Sequence, residues 1–287
     1  MDDFRNALET LSTNFSGEIF GSEDARFDGA RAVWNAMIDR RPALIAQCRT
    51  SGDVQAAVKL AVAQNLPIAI RGGAHNVAGN AVCDSGVMID LSLMRSVTVD
   101  ASARVATVEG GALWRDVDVA TQAHGLATPG GLISDTGVAG LTLSGGIGWL
   151  RAQHGLTIDN LIAADVVIAN GALVRASAEE NPDLLWALKG GGGKFGVVVR
   201  FEFALHPVGP EVMFAAPIYA LDDGPGPIRE WREFLAKHGD RVGSLCEFST
   251  AAAGEDFPEE HWGKRVYALL CVFNGDAQEG EALLQPL

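Results

Sequence analysis

The sequence lacks a long apolar run, a basic leader and any cluster of lysine and arginine. No segment approaches the roughly 20 apolar residues that span a bilayer. The opening residues MDDFR are acidic where a secretory signal is basic. A cytoplasmic protein without a membrane partner is therefore expected. The net charge of −14 repels polyanions, so nucleic acid is not an expected partner either.

Cysteine is scarce, and the spacing of the cysteines does not match a disulfide framework or a metal site. The four cysteines show neither a C-x-x-C pair nor a metal-ligand spacing; they are Cys48, Cys83, Cys246 and Cys271. Scattered thiols of this kind are typical of small buried side chains. We expect no disulfide and no metal site, and we expect Cys83 to be buried.

The composition is that of a globular protein with one large domain or two unequal ones. Hydrophobic residues make up 48% and charged residues 20% of the 287 residues. No internal repeat is present. Glycine clusters become sparse after His206 and Pro207, which predicts a domain boundary there, with domains at 1–206 and 207–287.

A strand, a helix and a second strand are predicted at the start of the ordered pattern. Residues 43–48 indicate a buried strand, and Thr50 or Ser51 is a suitable helix cap. An apolar stripe follows at helical spacing: Val54, Ala57, Val58, Ala61 and Val62. Residues 68–70 form the next predicted strand. Such a unit builds layered α/β structure.

Further strands are predicted at 87–91, 96–99, 104–108, 161–167, 173–175, 196–203 and 266–273. A helix is expected from Trp114 to near Gly125, another from Pro182 with Asn181 as its cap, and a third at 278–284. Asn170 and Gly171 indicate a hairpin turn.

The residues RGGAHN (71–76) are the sharpest local feature, because they follow directly on a predicted strand. Two glycines leave backbone N–H groups unobstructed, as in a nest that binds phosphate oxygens, and Arg71 can add charge at the rim. His75 is then available as ligand, base or nucleophile. A plain glycine turn with a hydrogen-bonded histidine accounts for these six residues equally well.

Residues 128–148 are dense in glycine and poor in charge, which indicates backbone packed closely against something flat or anionic. Two other glycine motifs can be excluded. Phe195 stands where a P-loop needs serine or threonine for magnesium. No G-x-G-x-x-G opens a helix with an acidic residue about 20 positions further on.

Together these segments resemble the FAD-linked oxidases of the vanillyl-alcohol oxidase superfamily, in particular berberine-bridge-enzyme-like members of the 6-hydroxy-D-nicotine oxidase type. The similar blocks occur in family order: RGGAHNVAG (71–79), MIDL (88–91), TPGG (128–131), GVAGL (137–141), SGGIGWL (144–150), GLTIDN (155–160), DLLW (183–186) and KGGGGKFGV (189–197). The resemblance implies an α+β fold. Its two-subdomain FAD-binding domain (about 35–97 and 98–206) is followed by an incomplete antiparallel-sheet substrate domain at 207–287.

The resemblance also implies which residues hold the cofactor. In the family, a histidine at the position of His75 bonds covalently to the 8α-methyl group of the flavin. The cysteine that adds a second link in many relatives is replaced by Ile133, so a single link is expected. The predicted FAD-binding residues are His75, Arg71, Gly72, Gly73, Ala74, Asn76, Gly79, Thr136, Gly137, Gly140, Leu141, Ser144, Gly145, Gly146, Gly148, Asn160 and Val197.

The implied activity is transfer of a hydride from a small alcohol, sugar or cyclic amine to FAD, followed by reoxidation by oxygen. Leu141 replaces a histidine that lies beside the flavin in some relatives, which leaves charge stabilisation to backbone N–H groups or other side chains. The sequence identifies no catalytic base. Because it ends at Leu287, within the substrate-domain pattern, the alternative is a truncated flavin-binding protein without catalysis.

Overall fold

The computed structural model describes residues 13, 15–254, 257 and 259–287. These residues form two compact units. The first unit comprises the described residues up to Ile147 together with Leu156–His206. The second unit comprises Gly148–Gly155 and the described part of Pro207–Leu287. The short segment Gly148–Gly155 therefore groups with the later part of the chain.

The strands, in chain order, are β1 (Glu18–Phe20), β2 (Leu44–Gln47), β3 (Ile68–Arg71), β4 (Val87–Asp90), β5 (Val97–Asp100), β6 (Val105–Glu109), β7 (Leu126–Ala127), β8 (Leu161–Val167), β9 (Leu173–Ala176), β10 (Val197–Ala204), β11 (His206–Pro207), β12 (Met213–Ala215), β13 (Ile218–Ala220), β14 (Val242–Thr250) and β15 (Arg265–Phe273).

The α-helices are α1 (Phe27–Arg31), α2 (Ser51–Ala63), α3 (Trp114–Gln122), α4 (Val138–Leu143), α5 (Arg151–His154), α6 (Pro182–Gly191), α7 (Gly226–His238) and α8 (Ala277–Leu284). Short 3₁₀ turns lie at Thr157–Asn160, Gly193–Phe195, Leu221–Asp223 and Glu259–His261. Among the described residues, no helix combines the length and apolar character needed to cross a bilayer.

The first sheet of the first unit has the order β1-β2-β4-β3; the β2–β4 and β4–β3 pairings are parallel, and β1 pairs with β2 antiparallel. Helix α2 connects β2 to β3 and packs on this sheet through Val54, Ala57 and Ala61, which are fully buried. Thr50 caps α2 as predicted, in a capping box with Asp53. Val62 is 54% exposed, so its predicted place in the apolar stripe was wrong.

The second sheet of the first unit is antiparallel, with the order β5-β6-β10-β8-β9. Alternate residues of β10 point into one core, where Phe201 and Phe203 are fully buried and stack with ring centroids 5.9 Å apart. Trp114 of α3 packs against Phe203 at 6.2 Å. Burial of these rings attaches α3 to the sheet and so fixes the loops at either end of that helix.

The sheet of the second unit is built around β15, which pairs with β14 along one edge and with β12 and β13 along the other. Helices α7 and α8 cover one face with Phe234 and Leu284, against Cys271 and Phe273. The segment Gly148–Gly155 belongs to this unit through the Arg151 guanidinium, which donates to the backbone carbonyls of Gly148 and Ser244. The α+β fold predicted from the sequence is confirmed.

The start of α6 differs from the prediction in its cap. The helix begins at Pro182 as expected, but Asn181 adopts a left-handed conformation with φ of +50° and makes no side-chain cap. Its amide Nδ2 instead donates to the carbonyl oxygen of Arg175 at 2.7 Å. Asparagine tolerates this conformation because its short side chain bonds locally to the backbone.

All four cysteines are free thiols. Cys48 and Cys271 are buried, whereas Cys83 and Cys246 are partly exposed, so the expected full burial of Cys83 was wrong. Burial raises the pKa of each of the four thiols above its ordinary value. They are therefore poor nucleophiles at neutral pH.

Replacement of Phe201 by alanine is expected to lower the free energy of unfolding by about 3–5 kcal/mol, because the lost ring leaves a cavity in the antiparallel-sheet core. Chemical denaturation followed by circular dichroism measures this loss. Trp186→Ala is the matched control, since Trp186 is 79% exposed and its removal should change stability by less than about 0.5 kcal/mol. Equal losses for both variants would contradict the packing described here.

Candidate functional site

Two glycine-rich segments of the first unit meet in direct backbone contact. The first segment (residues 71–76) leaves the end of β3, and the second segment (residues 136–146) contains α4. A Cβ atom on Gly73 would lie 2.3 Å from the nitrogen of Gly137, and a Cβ on Gly137 would lie 2.4 Å from the nitrogen of Gly73. Only glycine permits this approach at either position. The structure thus brings together two segments that the sequence keeps far apart.

The first segment presents a row of free backbone donors. Within the described part of the chain, the N–H groups of Gly72, Gly73, Ala74 and His75 donate to no protein acceptor. Ala74 is also buried and has a φ of +57°, a left-handed conformation that is strained for a residue with a side chain. Buried backbone donors are normally paired. Consecutive free donors next to a left-handed residue form a concavity suited to an anion.

His75 is the last residue of this row of donors, and its imidazole is in contact with two side chains. The ring stacks on the indole of Trp34, with centroids 5.4 Å apart and planes inclined by 24°. Its Nε2 atom lies 3.7 Å from the carboxylate oxygen Oδ1 of Asp135. The side chain is 24% exposed. The histidine is therefore oriented but still accessible from outside.

Trp34 and Asp135 were not predicted as site residues. Asp135 carried a signal, since it is the single charged residue between Thr128 and Gly148. No local pattern distinguishes Trp34. Its position depends on a hydrogen bond from its backbone N–H to the carbonyl oxygen of Ala74, 3.1 Å away.

Arg71 does not supply the rim charge predicted for it. Its Nη1 atom donates to the carbonyl oxygens of Ala30 and Ala32 at 2.6 and 2.9 Å, and its Nε lies 3.8 Å from the buried Asp90 carboxylate. The guanidinium is thus engaged by protein groups. Its role in the structure is to hold the segment that precedes Trp34.

Asn76 and Gly79 form the turn that follows His75. The N–H of Gly79 donates to the carbonyl oxygen of Asn76 at 2.9 Å, and the N–H of Asn80 donates to the Asn76 side chain at 3.1 Å. Gly79 has a φ of +72° and packs directly over Ile38, where a Cβ would meet the isoleucine at 2.6 Å. Both residues shape the backbone around the site.

The second segment starts from a fixed turn and ends in two left-handed glycines. The Thr136 hydroxyl donates to the carbonyl oxygen of Ile133 at 2.7 Å, and Gly137 precedes the first turn of α4. Gly145 and Gly146 have φ values of +107° and +85°. Leu141 packs against Gly146, where a Cβ would lie 2.7 Å from the leucine side chain. This fold of the backbone leaves one side open: no atom lies within 4 Å of a Cβ built at Gly140, and Ser144 is exposed.

Three further predicted site residues have surroundings that the structure describes without a ligand. Asn160 is buried, with its Oδ1 atom 2.7 Å from Nε2 of His206 and its Nδ2 donating to the carbonyl oxygen of Leu156. Val197 lies in the core beside α2. Gly148 belongs to the second compact unit. Their predicted cofactor contacts remain predictions.

Comparison with known proteins relates this site to a cofactor. Residues 42–177, which include both glycine segments and His75, match the family model described as FAD binding domain. The chain is 32% identical to an FAD-linked oxidoreductase of Aspergillus terreus over 287 residues, covering 97% of this chain and 56% of the relative. It is 37% identical to (R)-6-hydroxynicotine oxidase of Paenarthrobacter nicotinovorans over 202 residues, covering 70% and 44%.

Residues 42–177 thus belong to the FAD binding domain family, and the chain as a whole is similar to FAD-linked oxidoreductases. The crystal structure of 6-hydroxy-D-nicotine oxidase from Arthrobacter nicotinovorans superimposes with a TM-score of 0.86 at 29% identity, covering 95% of this chain and 58% of that one. The resemblance read from the glycine blocks is thereby confirmed. The chain spans about half the length of the curated relatives it matches, between 44% and 59% for three of them.

The residues present fit the cofactor of an FAD-linked oxidase. FAD carries an anionic diphosphate, and the free N–H groups of residues 72–75 are donors of the kind that bind phosphate oxygens. The protein carries a net charge of −14, and the Arg71 guanidinium is already bound to protein groups. The free N–H groups are therefore the local groups that attract an anion. The open side at Gly140 leaves room for a ligand along the second segment.

Gly73→Ala is expected to weaken reversible FAD binding about tenfold or more, which corresponds to about 1.4 kcal/mol or more. The added methyl group would collide with the Gly137 backbone and force the two segments apart. Titration of FAD-free protein, followed by flavin fluorescence, measures the affinity. The control is Gly29→Ala, where no atom lies within 4 Å of the new Cβ. An unchanged affinity in Gly73→Ala would show that the contact is irrelevant to the cofactor.

Proposed function

We propose that the protein is an FAD-dependent oxidoreductase that holds its flavin through one covalent bond to His75 and takes a hydride from a small organic substrate. The observation that carries this proposal is the position of His75, an accessible imidazole directly after a row of unpaired backbone donors. A group bound by those donors through phosphate would lie next to a nitrogen nucleophile.

Each part of the site has a distinct task in this proposal. The N–H groups of Gly72, Gly73 and Ala74 bind the diphosphate, and the Gly73–Gly137 contact keeps both segments in register. When bound, FAD supplies the hydride acceptor, which the protein itself cannot provide. Covalent attachment prevents loss of the cofactor.

A single covalent link follows from the residue at position 133. Ile133 stands where many relatives have the cysteine of a second link, and an isoleucine side chain has no nucleophilic atom. Leu141 similarly lacks a charge, so we assign stabilisation of the reduced flavin to backbone N–H groups of the second segment.

The proposed substrates are small alcohols, sugars or cyclic amines, and the proposed electron acceptor is oxygen. The name of (R)-6-hydroxynicotine oxidase supports a cyclic amine among these classes. We assign substrate binding to the second compact unit, with its antiparallel sheet of β12 to β15.

Covalent attachment is tested by denaturing the purified protein and measuring flavin fluorescence on the polypeptide. The wild-type chain should retain its flavin, and His75→Ala should release all of it, since no second link exists. His124→Ala is the matched control, because His124 is exposed and lies outside both glycine segments. Release of flavin from the denatured wild-type chain would refute the His75 link.

Activity is tested separately by adding alcohols, sugars and cyclic amines to the flavin-loaded protein without oxygen. Bleaching of the oxidised flavin absorbance identifies a substrate, and its return on admission of air identifies oxygen as the acceptor. A flavin that no compound of a broad panel bleaches would instead favour the catalytically idle flavin-binding protein.

A further inference from the structure

We propose that Asp135 is a positioning residue for the attachment of flavin to His75: its carboxylate fixes the imidazole with the proton on Nε2 and leaves Nδ1 as the bonding nitrogen. This inference rests on the proposed covalent link. It concerns only residues of the first unit: His75 in the first glycine segment, Asp135 directly before the second, and Trp34.

The geometry of the two segments sets the pairing of Asp135 with His75. Gly73 and Gly137 are in backbone contact, His75 lies two residues after Gly73, and Asp135 lies two residues before Gly137. The chains on either side of the contact thus bring the carboxylate to 3.7 Å from Nε2 of the imidazole. A displacement of less than an ångström closes this distance to a charge-assisted hydrogen bond of about 2.8 Å.

The turn around Asp135 is fixed by its neighbours. Thr136 donates to the carbonyl oxygen of Ile133 through both its N–H and its hydroxyl group. The N–H of Arg115 donates to the carbonyl oxygen of Ser134 at 2.9 Å, and the N–H of Trp114 donates to that of Thr136 at 3.1 Å. The start of α3 therefore holds both sides of Asp135, while the carboxylate itself remains 55% exposed and, among the described residues, has the His75 imidazole as its one basic neighbour within 4 Å.

One face of the imidazole is covered by the indole of Trp34, with ring centroids 5.4 Å apart. This stacking restricts the plane of the ring, and of the two ring orientations in that plane the structure has the one that brings Nε2 toward Asp135. With Nε2 directed at Asp135, the other nitrogen, Nδ1, is the one available to an incoming group. Which ring nitrogen is free is set by the hydrogen bond that the other nitrogen makes.

The charge of Asp135 matters during bond formation. A bond from Nδ1 to the flavin 8α-carbon puts positive charge on the imidazole until a proton leaves, and a nearby carboxylate stabilises that charge. In the complete step the 8α-carbon loses one hydrogen and the imidazole loses one. The electron pair of the broken C–H bond passes through the flavin to dioxygen, which leaves as hydrogen peroxide. No other oxidant is needed.

The experiment follows the rate of attachment in FAD-free protein obtained from riboflavin-starved cells. FAD is added in air, samples are denatured at intervals, and flavin on the polypeptide is measured by fluorescence. Asp135→Asn should attach FAD about ten- to a hundredfold more slowly than wild type, because the hydrogen bond to a charged group is lost. Asp135→Glu, which keeps the carboxylate, should recover most of the rate.

Two controls separate a positioning role from a structural one. Ser134→Ala, at the neighbouring exposed position, should attach FAD at the wild-type rate. Reversible FAD affinity, measured before attachment, should be the same in all four proteins, which shows that the site is folded. Equal rates in Asp135→Asn and wild type would overturn the inference and leave the His75 link intact. Absence of attachment in wild type itself would overturn the proposed function instead.

Discussion

The contact between the backbones of Gly73 and Gly137 is the constraint on which the candidate site depends. It forces two segments from different parts of the first unit into one surface, and neither position has room for a Cβ atom. From this contact follow the proximity of His75 to Asp135 and the position of the free N–H groups of residues 72–75 beside the second segment. Removing the contact would leave two ordinary glycine loops.

A second set of interactions orients the histidine, and it begins in the first sheet. The buried Asp90 at the end of β4 accepts hydrogen bonds from Gln47 and from the N–H of Ser92, and it faces Arg71. Arg71 holds the carbonyl groups of Ala30 and Ala32. That segment leads to Trp34, which stacks on His75. Arg71, which the sequence suggests as a contact to the ligand, therefore contacts the segment before Trp34 and orients His75 through that tryptophan.

Most elements of the first unit could be predicted from the sequence because their apolar residues recur with a local period. Strand β14 was missed for a physical reason. Its buried Ser244 is polar in sequence, and only the tertiary hydrogen bonds to Trp231 and to the carbonyl of Leu270 permit that burial. The left-handed Asn181 also escaped the prediction, because its side chain bonds to Arg175 rather than to the helix that it precedes.

Which segments form the candidate site could be predicted from the sequence, but the way in which they contact one another could not. Glycine density and the resemblance indicated both segments and His75. Their mutual contact, the direction of Arg71 and the roles of Trp34 and Asp135 depend on residues distant in sequence, which no local pattern specifies. The match to the FAD binding domain supports the cofactor, whereas the activity of the whole protein rests on the proposal, since the chain spans between 44% and 59% of three curated relatives that it matches.

Amide hydrogen exchange at residues 72–76 shows whether these backbone donors bind the diphosphate of FAD. The His75→Ala variant allows the FAD-free and FAD-bound forms to be compared reversibly. The account predicts that FAD strongly slows exchange at residues 72–75, because their N–H groups gain acceptors only from the ligand. Unchanged exchange at these residues while FAD is bound would contradict it.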